Sequence, residues 1–134
     1  MSKVSIYWHD EQRNVLRHFF CSGFSYDEAM NALAQGQGLR SAAFYPIAIL
    51  TELQQPFLIP KGYVNLLRFN APTIRSNELI HVVVGSAILI RSVLQLAARI
   101  NIPNLKYIRI ADSTEQGLEL CQQALKKSTL PIDK

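Results

Sequence analysis

Cysteine is scarce in this chain of 134 residues: Cys21 and Cys121 are the only two, and neither belongs to a Cys-x-x-Cys pair. That usage speaks against a disulfide scaffold or a zinc ribbon and predicts two buried thiols. Charge is thin as well, with 18% of residues Asp, Glu, Lys or Arg. An average soluble chain carries roughly a quarter, so an apolar patch used in association is expected on the surface. The net charge of +4 comes from scattered basic residues, and no basic run or recognition motif points to nucleic acid. The longest apolar region, Leu79 to Ile100, is interrupted by His81, Gly85, Ser86, Arg91, Ser92, Gln95 and Arg99, which excludes a membrane span there. Met1-Ser2-Lys3 leads directly into strand-like sequence without a secretory leader, so a cytoplasmic location is expected.

Catalytic signatures are missing too. Gly85-Ser86 falls between a strand pattern and a helix pattern, but Ala87 and Ile88 follow it, so it is not the Gly-x-Ser-x-Gly elbow of a serine hydrolase. Gly36-Gln37-Gly38 follows a helix pattern instead of linking a strand to one; it reads as a helix stop, not as a nucleotide loop. His9, His18 and His81 lack metal-ligand spacing, and His81, inside an apolar strand, reads as a hydrogen-bonded core or edge histidine. Asp10-Glu11 sits in a turn and Asp27-Glu28 at a helix start, positions suited to solvated or capping carboxylates. A non-catalytic role without a cofactor or metal is the expectation.

What the chain does have is clear patterning. Val4, Ile6 and Trp8 alternate with Lys3, Ser5 and Tyr7, and a second run from Val15 to Cys21 resumes after a polar turn, predicting an antiparallel hairpin. Ser25-Tyr26-Asp27-Glu28 is a capping-box pattern opening a helix, with Tyr26, Ala29, Met30, Leu33 and Ala34 on its inner stripe. Pro46 to Leu50 predicts a central strand, followed by a polar connection with Thr51, Glu52, Gln54 and Gln55. Lys61 to Phe69 suggests a short helix. Leu79–Val84, Ala87–Ile100, Leu105–Ile110 and a last segment ending near Lys127 then read as strand, helix, strand, helix. Crossovers of that length join parallel strands. Asp112 or Ser113 caps the final helix, with Glu115 and Gln116 as reciprocal partners. The order is β-β-α-β-α-β-α-β-α, in one domain spanning residues 1–134.

This order, with Trp8-His9-Asp10, Gly23-Phe24-Ser25-Tyr26-Asp27-Glu28, Pro60-Lys61-Gly62, Val83-Val84-Gly85 and Ala111-Asp112-Ser113-Thr114-Glu115, resembles the STAS superfamily, and within it the SpoIIAA-like branch of small bacterial proteins. The resemblance implies an α/β fold with a mixed sheet of four to five strands and helices packed mainly on one face. It also implies a protein-binding role of the kind played by antagonists of anti-sigma factors. Many family members carry an Asp-Ser-Ser-Gly or Asp-Ser-Thr-Gly loop after the central strand, whose hydroxyl accepts phosphate. Here that place holds Thr51-Glu52-Leu53-Gln54, leaving Thr51 as the local hydroxyl on which such regulation would fall.

Three further readings concern binding. Backbone amides after Gly85-Ser86, helped by Arg91, form a candidate anion-binding turn; Gly85 easing a turn and Ser86 capping a helix explain the same residues. The helix from Ala87 is apolar well beyond a narrow seam, and Ile88, Leu89, Leu96 and Ile100 are candidate interface residues for a protein partner or a homodimer. A small ligand or lipid, held between the sheet and residues 52–63, is the alternative. The aromatic residues Tyr7, Trp8, Phe19, Phe20, Phe24, Tyr26, Phe44 and Tyr45 are expected to fill the core.

Overall fold

The computed structural model describes residues 3–54, 77–85, 87–99 and 108–128. Strands β1 (Val4–Trp8) and β2 (Val15–Phe20) form the expected hairpin, with Ile6 opposite His18 and Trp8 opposite Leu16. Its turn is tight because the Asp10 side chain accepts from the Gln12 N–H at 3.0 Å, and Arg13 takes a positive φ of 54°. Helix α1 (Tyr26–Ala42) leads to β3 (Ile47–Leu53). Then come β4 (Glu78–Val84), α2 (Ala87–Arg99), β5 (Ile108–Ala111) and α3 (Thr114–Ser128). The five strands lie in chain order, β1-β2-β3-β4-β5, with β1 antiparallel to β2 and every other pair parallel. The expected helix at Lys61–Phe69 and the start of the strand expected from Leu105 lie outside the described residues.

Two cores flank the sheet. Val4, Ile6, Leu16, Phe20, Ile47 and Ile49 pack with Phe24, Ala29, Ala32 and Leu33 of the α1 side. Val15, Ala48, Leu50, Val82, Val84 and Ala111 pack with Cys121 and Leu125 of α3. Alternate residues of β3 thus enter opposite cores, as the period of two requires. Helices packed mainly on one face were expected; α1 and α3 instead take opposite faces. The physical reason is in β3 itself, where Ile47-Ala48-Ile49-Leu50 is apolar without alternation and all four residues are buried, so both faces need cover.

Helix α1 begins where its cap demands. The Ser25 hydroxyl accepts from the Glu28 N–H and the Glu28 carboxylate accepts from the Ser25 N–H. Glu28 also accepts from the Lys3 N–H at 2.8 Å, and these backbone donors, Lys3 first, hold its carboxyl below the usual value. The helix does not stop at Gly36-Gln37-Gly38 but runs on to Ala42. Each interior glycine costs about 1 kcal/mol against alanine. The last turn carries Arg40 into the interior, where it pairs with Glu78, and the Ala43 N–H bonds the Arg40 carbonyl. The buried line is Ala29, Ala32, Leu33, Gly36 and Arg40, whereas Ala34, expected on it, is exposed.

Helix α3 is seated more closely. Ser113 accepts from the Gln116 N–H, and the Gln116 side chain accepts from the Asp112 N–H, so the expected cap forms with Gln116 as the reciprocal partner. A Cβ on Gly117 would stand 2.7 Å from Leu50 Cδ1 and 3.0 Å from Val84 Cγ2. Cys121 is fully buried, and burial pushes its thiol up to about 12. Cys21, expected to be buried in a strand, lies just past β2 and is half-buried.

Candidate functional site

The side chains that converge most are in a polar layer beneath α1. β2 alternates, so His18 points to the α1 face between Leu16 and Phe20. Thr51 points the same way from β3, opposite His18 in the parallel register, and its Oγ1 lies 3.4 Å from His18 Nδ1. A register irregularity sets Ile47 opposite Glu78 and Ile49 opposite His81. Two residues of β3 therefore span three of β4, and Glu78 and His81 share a face although three apart. His81 Nε2 donates to Glu78 Oε1 at 3.1 Å, and Arg40 of α1 donates to the same oxygen at 3.4 Å.

All four ionisable groups are buried, Arg40 to 1% exposure and Glu78 to 3%. His18 Nε2 and Glu78 Oε2 have no hydrogen-bond partner among the described residues. Nε2 faces Gly36, whose Cβ would lie 3.5 Å away. Burial first, then the charge of Arg40 and of His81, lowers the His18 imidazole to about 3. It stays neutral across the physiological range.

A second polar group lies on the α3 face. Arg17 pairs with Glu52, whose other oxygen accepts from the Thr114 hydroxyl at 2.7 Å. The Arg17 guanidinium sits 5.5 Å from the centroid of the Tyr7 ring and 3.5 Å from His9 Nδ1. Beside it a trough of about 380 Å³ runs between the hairpin turn and α3, lined by His9, Asp10, Gln12, Asn14, Val15, Gln122, Leu125 and Lys126. Sequence reasoning missed this cluster, although the alternation of Val15-Leu16-Arg17-His18 already sends Arg17 and His18 to opposite faces.

At the opposite flank of the hairpin turn, the linker from α1 to β3 exposes Phe44 to 92% and Tyr45 to 41%. The core placement expected for these aromatics is corrected here, as it is for Tyr7 at 40%. The linker is nonetheless pinned: Asn77 Nδ2 donates to the carbonyls of Ala43 and Tyr45, and the Tyr45 hydroxyl donates to the Arg13 carbonyl. With Ala43 buried, Pro46 exposed and Ile47 buried again, Phe44 has no route inward.

The other expected site residues are scattered. Thr51 and Glu52 belong to β3 and not to a connection after it, since both pair in register with β2 and β4. Gly85 follows β4 and Arg91 is exposed on α2; Ser86 lies outside the described residues. So do Ile100 and the side chains of Ile88, Leu89 and Leu96, while Ile90 of the same helix is buried. The ligand space expected between the sheet and residues 52–63 falls mostly outside the described residues as well. Among the described residues no three metal-ligating side chains cluster, and no helix is long and apolar enough to cross a membrane. No protein-family model, no curated protein and no solved structure matches the chain.

Proposed function

We propose that this protein is a non-catalytic interaction module of the STAS-like kind, regulatory in role, that docks a protein partner or a second copy of itself. The observation that carries this reading is Phe44, an extruded aromatic ring on a linker that three hydrogen bonds hold in place. A large apolar side chain presented on a rigid backbone loses little entropy on docking, which is how interface anchors concentrate affinity. The element order and the mixed sheet support the family reading. Regulation through Thr51 would require its hydroxyl to leave the side of His18 before it could take phosphate, and kinase treatment followed by mass spectrometry checks that step.

The test compares wild type with Phe44→Ser. Light scattering across a concentration series and affinity co-purification should show self-association or a bound protein in the wild type and its loss in the variant. A wild type that stays monomeric and recovers nothing sensitive to Phe44 defeats the proposal. The trough beside α3 supports the second reading, a small-ligand protein; a mass retained under native mass spectrometry and displaced by Gln122→Trp would favour it.

A further inference from the structure

We propose that the buried polar layer is an acid-sensitive latch: protonation of His18 releases α1 from the sheet while the α3 side of the protein stays folded. Three observations join here. First, α1 brings few large side chains to the sheet: its buried line of Ala29, Ala32, Leu33, Gly36 and Arg40 contains one large aliphatic side chain, and Leu39 packs half-buried beside it. Its polar ties to the sheet side include the Arg40 to Glu78 pair and the Lys3 N–H bond to Glu28. Second, the charges around His18 cannot accommodate another cation. Arg40 acts on it from α1 and His81 from β4, with the Glu78 carboxylate bonded to both of those, while β3 offers the neutral Thr51 and β1 the apolar Ile6. One carboxylate already serves two cationic or potentially cationic partners. Third, the two cores share no residue and lie on opposite faces of the sheet. Loosening α1 therefore exposes one face of the sheet without unpacking Cys121 and Leu125 from the other.

The direction of the pH effect follows from linkage. The His18 imidazole is lowered in the docked state from 6.5 to about 3, so the released state takes up the proton and the docked state does not. Stability of docking is complete above the ordinary imidazole value and falls as pH drops through 6.5 toward 3. Between pH 7.5 and 5.0 the released population rises by about 30-fold, taking an ordinary imidazole in that state.

Hydrogen–deuterium exchange on the full chain, corrected for the intrinsic pH dependence, reads the latch directly. Protection of the α1 amides should fall by about 30-fold over that pH range, with α3 amides changing far less. His18→Gln should flatten the α1 response, and His81→Gln should leave most of it. Parallel loss of protection in α1 and α3 overturns the proposal, as does a His18→Gln protein with an unchanged pH response. Should that variant fail to fold, the ring nitrogen shifts of His18 in the wild type decide. A ring that stays neutral to pH 5 while α1 is docked supports the latch, and one titrating near 6.5 with α1 still protected refutes it.

Discussion

Alanine at Gly117 sets two known effects against each other. In an unobstructed helix the change gains up to about 1 kcal/mol, because glycine loses the most backbone entropy on ordering. At this position the new methyl would meet Leu50 Cδ1 at 2.7 Å and Val84 Cγ2 at 3.0 Å, and Leu50 and Val82 beside it are completely buried. Leu50 cannot swing aside without displacing its neighbours, so α3 must ride up or the core must deform, at a cost of about 1–3 kcal/mol. The clash offsets or outweighs the propensity gain, and the net expectation is a loss of up to about 2 kcal/mol. For a chain of this size that is a fall in Tm of up to roughly 10 °C. Gly38→Ala is the matched control: it too is inside a helix, but nothing lies within 4 Å of its Cβ, so it should raise stability by about 0.5–1 kcal/mol. Urea titration of both variants gives the comparison. If Gly117→Ala is as stabilising as Gly38→Ala, the close seating of α3 on β3 and β4 is wrong.

Other substitutions probe other joints. Arg40→Met leaves the Glu78 carboxylate buried without its guanidinium and should cost about 3–5 kcal/mol, and adding Glu78→Gln should restore much of it; chemical denaturation of the single and double variants measures the coupling. Ser25→Ala removes the cap of α1 and should cost about 1 kcal/mol, seen as a shifted urea midpoint with an unchanged slope. Cys121, buried and held at about 12, should resist a thiol reagent at neutral pH until the protein unfolds, while the half-buried Cys21 reacts first, as mass spectrometry of the labelled peptides would show.

The hairpin, the capping box, the helix opening at Ala87 and the final cap were all legible because each is local: a period, a hydroxyl three residues before a carboxylate, a strand ending in glycine. What escaped depends on partners distant in sequence. Gly36 and Gly38 read as a stop because the contact that the continuing helix makes, Arg40 with Glu78, involves a residue 38 positions away. Thr51 and Glu52 read as a loop by polarity, yet each has a cross-sheet partner, His18 for one and Arg17 for the other. The two-sided sheet was available in the unbroken apolar run of β3, which the expected one-sided arrangement passed over. The exposure of Phe44 was not legible in the same way. An aromatic at position 44 looks like core until the buried Ala43 and Ile47 on either side fix which way the chain faces.

The sheet's strand order, identical to its order along the chain, bears on how the protein is made. Each strand can dock on the one synthesised just before it, with no place held open for a later insertion, a topology that favours stepwise growth from the N-terminus. Arg40 interrupts that sequence. By the time β1, β2, α1 and β3 have been synthesised, its carboxylate partner on β4 has not. The ion pair that ties the last turn of α1 to the sheet can therefore close only once β4 is in place.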